Sequence, residues 1–228
     1  MIALTAGFLI LASAQWPWGP YRPGYEPQPS PKPSPATVRC INAMPEEERY
    51  ILSVGPYTRV IPYGQRSEYL TLEGRQVTLG LSNLYRERVA NDVIAQIQPG
   101  YPHTILFVGT PSVSGTFEAL VLRDSTAGPP TKSQAQFQFL NALVTKETMS
   151  IYLNGKPWSG AEKLEYGKPS KMLGISPREC EIEVRYASGT VLYRTNFTAQ
   201  GGIRYTGVVM GMPGIVGNRA PRLFFYPF

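Results

Sequence analysis

Apolar and polar residues alternate with a period of two along most of the chain from residue 36 onward. This spacing is typical of β-strands that bury one face. In the clearest example, Cys180, Ile182 and Val184 fall on one face and Glu181 falls on the other. The alternation therefore predicts half-buried antiparallel strands.

Two stretches indicate how these strands are joined. Asn154-Gly155 follows the strand-like run 149–153 and predicts a two-residue hairpin turn, because both residues tolerate positive φ. The spacing of residues 83–97 also permits a helix. We predict a loop followed by a strand there, because the equivalent stretch of the second half reads Thr195-Asn196-Phe197-Thr198.

Four sequence blocks recur in the same order, at an interval of about 100 residues. The paired blocks are Ala36–Met44 with Ala135–Leu143, Tyr63–Leu72 with Tyr166–Ile175, Val77–Leu81 with Cys180–Val184, and Gln98–Gly109 with Gln200–Gly211. Four blocks in one order at a nearly constant interval indicate an internal duplication.

Each repeat supplies about seven short strands separated by turn residues, which is the pattern of an immunoglobulin-like sandwich. The predicted fold class is therefore all-β, with two tandem immunoglobulin-like antiparallel β-sandwich domains after a proline-rich N-terminal tail. We expect the first sandwich at 36–124, a linker at 125–134 and the second sandwich at 135–228. The apolar positions expected in the two cores are Val38, Cys40, Leu70, Leu72, Val77, Leu79 and Leu81 in the first, and Phe137, Phe139, Leu173, Ile175, Cys180, Ile182 and Val184 in the second.

An apolar run at the N-terminus ends in Ala12-Ser13-Ala14, the small-x-small pattern of a signal-peptidase site. It is too short to span a bilayer. We therefore predict a signal peptide at 1–14 and a mature chain that begins near Gln15. No basic residue precedes the run, so a misplaced start codon, an uncleaved anchor and a buried strand stay open as alternatives.

Residues 15–35 contain proline at almost every second or third position, which favours an extended polyproline II spacer over a packed core. Four aromatic residues near its start would be exposed on such a spacer. These candidate partner-binding residues are Trp16, Trp18, Tyr21 and Tyr25. They would contact a domain, a sugar or a cell-wall polymer; the alternative is a linker without a binding role.

The amino-acid composition makes the chain mildly basic. Charged residues make up 17% of the chain, the formal net charge is +6 and the pI is about 9.3. A basic surface can attract nucleic acid or an anionic polysaccharide. The basic residues are scattered and no nucleic-acid motif is present, so we predict no nucleic-acid partner and favour an ordinary solvated surface. No further stretch is apolar enough for a transmembrane segment of the mature chain.

The motifs of common active sites are missing from the sequence. His103 is the one histidine, and no Cys-x-x-Cys, Gly-x-Ser-x-Gly or phosphate-loop motif occurs. We therefore predict no catalytic residues, no cofactor and no metal site. His103 precedes an apolar strand and is expected at a solvent-facing strand end. The recurring Tyr-Gly-x-x-Ser motif is expected to be a turn, in which serine bonds the local backbone.

The two cysteines, Cys40 and Cys180, lie in strand-like segments of different repeats. An exported protein meets an oxidising compartment, so a disulfide between them is allowed. By the alignment of the repeats, however, each cysteine takes a core position of its own sandwich. We predict two separately buried free thiols.

Several of the repeated motifs also carry a family resemblance. These motifs are Val38-Arg39-x-x-Asn42-Ala43, Asn154-Gly155-Lys156, Tyr63-Gly64-x-x-Ser67 and Gly100-x-x-x-Thr104. The chain resembles a family of secreted bacterial β-sandwich domains of unknown function that often occur in tandem. More distantly, the opening strand and the linker after Leu120-Val121 resemble the periplasmic alginate biosynthesis protein AlgF. Neither resemblance implies catalytic residues.

Together these observations predict a non-catalytic exported binding or structural module of the bacterial cell envelope or extracellular matrix. Its expected partner is an envelope protein or polysaccharide, and its location is periplasmic, cell-surface or extracellular. The alternative is a periplasmic accessory subunit of exopolysaccharide O-acetylation, which the AlgF resemblance implies.

Overall fold

The computed structural model describes residues 34–125 and 128–228. The predicted signal peptide and most of the predicted tail lie outside the described residues. The four tail aromatics lie outside them as well; these are Trp16, Trp18, Tyr21 and Tyr25. Within the described ranges, no helix is long and apolar enough to cross a membrane.

The first repeat forms two sheets of four strands each. Its strands are β1 (Ala36–Asn42), β2 (Arg49–Val54), β3 (Tyr57–Pro62), β4 (Leu70–Leu72), β5 (Gln76–Ser82), β6 (Val93–Gln96), β7 (Pro102–Val108) and β8 (Glu118–Arg123), with the short helix α1 (Pro111–Ser114) between β7 and β8. One sheet has the order β4-β1-β7-β8 and the other β3-β2-β5-β6. Strand β6 confirms the prediction of a loop and a strand in residues 83–97.

The second repeat has the same architecture. Its strands are β9 (Ala135–Asn141), β10 (Met149–Leu153), β11 (Lys156–Pro157), β12 (Leu173–Ile175), β13 (Arg178–Tyr186), β14 (Val191–Ala199), β15 (Arg204–Met210) and β16 (Arg222–Pro227). They form sheets of order β12-β9-β15-β16 and β11-β10-β13-β14. The strand order is therefore the same in both halves, as an internal duplication predicts. Asn154 and Gly155 have φ of 49° and 75° in the tight turn between β10 and β11.

The two-sandwich, all-β fold is confirmed, but one detail of it was wrong. The sheets are antiparallel except at one pair of strands in each sandwich, where β1 runs parallel to β7 and β9 runs parallel to β15. Alternation of period two predicts a half-buried strand and carries no information about the direction of its neighbour. Strands β7 and β15 are buried on both faces along almost their whole length, which is the usual environment of parallel strands.

The space between the two sheets of each sandwich is filled by apolar side chains, and the predicted core is confirmed with two small corrections. Six of the seven positions named for each sandwich are buried there. Leu70 and Ile175 are only partly buried, because each lies at the end of a three-residue edge strand. Cys40 and Cys180 are buried free thiols in different cores, as predicted.

A third apolar cluster joins the two sandwiches. We call the sheets that contribute to it, β4-β1-β7-β8 and β12-β9-β15-β16, the inner sheets, and the other two the outer sheets. The buried members of the cluster are Ile41, Ala43, Leu106, Val108, Leu140, Ala142, Val208, Met210 and Tyr226. The first eight are four pairs of equivalent positions in the two repeats. The inner sheets therefore pack against each other through the faces that are turned away from their own cores.

The Tyr-Gly-x-x-Ser motif contributes to this junction as well as to its own sandwich. Tyr63 packs against the third cluster, and a Cβ on Gly64 would lie 2.5 Å from the Phe224 ring. The phenol of Tyr226 donates a hydrogen bond of 2.8 Å to the carbonyl of Gly64. Gly64 also has φ of 72°, so the motif needs glycine for its backbone conformation and for the close approach of the second sandwich.

Candidate functional site

An open cleft of about 780 Å³ lies at one end of the first sandwich. It is bounded by the turn before β5, the connection from β6 to β7, and the last residues of β8. The residues that line it are Ser34, Arg75, Gln96, Ile97, Gln98, Pro99, Gly100, His103, Val121 and Arg123. This set contains two arginines, two amide side chains and several apolar groups, and it contains no aspartate or glutamate.

Arg123 is held in a defined orientation at the cleft. Its guanidinium carbon lies 3.6 Å from the centre of the Tyr101 ring, so the flat group stacks on the ring. Its Nη1 donates a hydrogen bond of 3.1 Å to Oε1 of Gln98. The guanidinium has five N–H donors, and the other four make no hydrogen bond or ion pair within the described residues. Arg123 is therefore oriented and still able to bind a ligand.

Arg75 occupies the other side of the cleft. Its side chain is exposed and makes no hydrogen bond or ion pair within the described residues. Its carbonyl accepts a hydrogen bond of 2.8 Å from the amide of Ile97, which ties this turn to the β6–β7 connection. The backbone beneath Arg75 is thus fixed, while its guanidinium is free to meet a group that enters the cleft.

His103 supports the β6–β7 connection from below, and the prediction of a solvent-facing position was wrong. The residue is only 3% exposed. Its Nε2 accepts a hydrogen bond of 3.2 Å from the amide of Gln98, and its Nδ1 lies 2.9 Å from the carbonyl of Tyr101. These partners require the neutral ring with its proton on Nδ1. Burial lowers the pKa of His103, which agrees with the neutral form.

Asp124 follows Arg123 directly but does not neutralise it. Its carboxylate is buried on the opposite side of the sheet, where it accepts hydrogen bonds from the hydroxyls of Thr104 and Tyr69. It also lies 3.8 Å from Nε of the buried Arg39. The negative charge of Asp124 is therefore used inside the fold, and the cleft keeps its positive charge.

The equivalent place in the second sandwich has a different composition. Tyr205 replaces His103 and accepts a hydrogen bond of 3.3 Å from the amide of Gln200, so the supporting contact is kept. Pro227 stands at the position of Arg123 in the strand register. The linker packs against the equivalent loop, since a Cβ on Gly201 would lie 1.8 Å from the Lys132 carbonyl oxygen. The cleft with its two arginines is thus a feature of the first sandwich.

We did not predict Arg75, Tyr101 or Arg123 as candidates from the sequence. They come from three separate segments, and only the recurring Gln-x-Gly block pointed to this loop. The aromatic residues that we named as candidates from the sequence lie outside the described residues. Elsewhere in the described ranges, no three His, Cys, Asp or Glu side chains are grouped as metal ligands would be.

The comparisons with known proteins do not name a family. No family model matches this chain, and no curated protein matches it. The resemblances to tandem secreted sandwich domains and to AlgF therefore stay predictions.

Among solved structures, the chain is similar to a carbohydrate-binding module of family CBM26 from Eubacterium rectale Amy13K, solved with maltoheptaose. The identity is 9%, the alignment covers 85% of this chain and 97% of that one, and the TM-score is 0.28. A streptococcal virulence factor described as binding α-glucan aligns at 10% identity over 76% of this chain and 92% of that one, with a TM-score of 0.26.

A candidate adhesin from Bacteroides ovatus aligns at 8% identity over 83% of this chain and 95% of that one, with a TM-score of 0.22. At these TM-scores the similarities carry no argument about ligand or function. The class of protein is defined by the strand pairings themselves, as a tandem β-sandwich protein.

Proposed function

We propose that this chain is a non-catalytic, exported binding module of the cell envelope, and that its ligand is a polysaccharide held in the cleft of the first sandwich. The observation that carries the proposal is the composition and shape of that cleft. Its amide side chains can bond sugar hydroxyls, and its apolar side chains can contact the C–H face of a sugar ring. Its open form leaves these side chains accessible to a polymer from solvent.

The duplicated architecture supports the same proposal. A rigid scaffold with function carried by its connecting loops is the usual arrangement of binding modules. Here the β6–β7 connection is fixed from below by His103 and from the side by Arg75. The cleft is therefore preorganised, which lowers the entropic cost of binding. Export rests on the predicted signal peptide at 1–14.

Retention of the mature chain on a panel of immobilised envelope polysaccharides tests this function. We expect retention on at least one polymer and its loss in Gln96→Trp, because Gln96 lines the cleft and an indole would obstruct it. The matched control is Thr198→Trp, the exposed equivalent position on β14, which should bind normally. A chain that no polymer retains, or equal loss in both variants, would contradict the proposal.

The tail aromatics are proposed as a separate contact with the same partner. Replacing Trp16 and Trp18 with alanine should weaken retention without abolishing it, because the cleft is intact in that variant. The accessory-subunit alternative rests on the AlgF resemblance, and the net positive charge and the tail aromatics are also compatible with an acidic sugar. No contact in the described residues favours it over a binding module.

A further inference from the structure

We infer that the ligand of the cleft is an anionic glycan, whose carboxylate or phosphate oxygens are bound by Arg75 and Arg123. This inference rests on the proposed function and adds the chemical class of the ligand.

One group of arginines in the second sandwich is neutralised by acidic side chains. On the outer face of the sheet that contains β13, the carboxylate of Glu183 pairs with Arg185 and lies 2.5 Å from Nη2 of Arg194. Arg194 also approaches Glu181 at 3.7 Å. Positive charge on this surface is thus neutralised within the protein.

The cleft lacks this internal neutralisation. No acidic residue is among the described residues that line the cleft. The carboxylate of Asp124 lies on the opposite side of the sheet, where it accepts a hydrogen bond from Thr104. Guanidinium groups that lack a carboxylate partner attract oxyanions. The stacked guanidinium of Arg123 has a fixed plane, and this is the arrangement that binds carboxylate or phosphate oxygens through two parallel hydrogen bonds.

The second sandwich supplies an internal comparison. It retains Arg178 at the position of Arg75, but Pro227 and Ile203 stand where Arg123 and Tyr101 form the stacked pair. The two repeats share their scaffold, so the stacked arginine is not a requirement of the fold. An anionic ligand of the cleft explains why the stacked arginine is present in the first sandwich and not in the second.

The test measures binding of the mature chain to polygalacturonate and to the same polymer after reduction of its carboxyl groups. We expect binding to the charged polymer, weakened by salt, and at least 10-fold weaker binding to the reduced polymer. Arg75→Gln and Arg123→Gln should each cost about 10-fold, as expected for loss of a charge-assisted hydrogen bond. Arg178→Gln removes the same charge elsewhere and should change affinity less than 2-fold.

The outcomes separate this inference from the proposed function. Equal binding to both polymers, unchanged by the two arginine variants, would overturn the inference and leave a neutral polysaccharide as the ligand. Failure to bind any polysaccharide would overturn the proposed function itself. Binding to a glycerol-phosphate polymer in place of polygalacturonate, with the same arginine dependence, would support the inference and identify phosphate as the anion. Tighter binding to duplex DNA than to either glycan would contradict it.

Discussion

At the scale of single residues, the buried His103 beneath the cleft makes the stability of the protein depend on pH. Burial lowers the pKa of His103, and the positive charge of Arg123 acts in the same direction. The carbonyl of Tyr101 and the charge of Asp124 raise this pKa, but burial has the larger effect. The pKa of His103 in the folded chain is therefore lower than in the unfolded chain, where it is about 6.5. As the pH falls below that value, the unfolded chain takes up a proton first, and stability is lost.

We predict that the free energy of unfolding of the wild type falls more steeply between pH 7 and pH 5 than that of His103→Gln. Glutamine can accept the same hydrogen bond from the Gln98 amide and does not titrate. Urea unfolding at a series of pH values measures both slopes. Parallel slopes would show that His103 does not titrate differently in the two states.

The two cysteines give a second prediction at this scale. Burial raises the pKa of Cys40 to about 12 and also raises the pKa of Cys180. We therefore expect both thiols to react slowly in the native protein. A maleimide reagent should label them slowly in buffer and rapidly in denaturant without reductant. Fast labelling of either thiol in buffer would contradict its burial in a core.

At the scale of elements, the Tyr-Gly-x-x-Ser motif connects an edge strand to the strand beside it. In the first sandwich the hydroxyl of Ser67 accepts a hydrogen bond of 2.8 Å from the buried amide of Cys40. Ser170 does the same for the amide of Phe139 at 2.9 Å. From the sequence we predicted that this serine bonds the local backbone. The bonds show in addition that its hydroxyl continues the strand ladder.

We predict that Ser67→Ala and Ser170→Ala each lower the free energy of unfolding by about 1–3 kcal/mol, because a buried amide loses its acceptor. Ser188→Ala is the control, since Ser188 is exposed in the β13–β14 turn and should change stability by less than about 0.5 kcal/mol. Denaturant titrations of the three variants measure these effects. Similar values for all three would contradict the ladder role.

At the scale of the whole molecule, the described residues of both repeats belong to one compact unit. The alternation of residues predicted the strands, and the repeat predicted their order, because both depend on short-range patterns. Neither pattern predicted that equivalent faces of the two repeats pack together. The second face of such a strand differs from a solvated face only in carrying apolar residues such as Leu106 and Val208. The cleft was not predicted for a related reason: Arg75 and Arg123 are far apart in the sequence and line the same cleft only after the chain has folded.

This packing predicts that the two halves stay together when the chain between them is cut. A protease site inserted between Pro129 and Pro130 should give two fragments that co-elute in native size-exclusion chromatography. Leu106→Asp in the third cluster should separate them, because a buried unpaired charge is strongly unfavourable. Ile94→Asp, on an exposed face of the outer sheet, should leave them joined. Fragments that separate without any substitution would show that the junction is weak.

Binding of an anionic glycan in the cleft of the first sandwich is the central claim. Amide chemical shifts of the mature chain, followed during titration with a short galacturonate oligosaccharide, test this claim directly. We predict shifts concentrated at residues 96–103 and 121–123, with little change at the equivalent residues 198–205. Shifts centred on the second sandwich, or no shift at concentrations that saturate retention on the polymer, would contradict the claim.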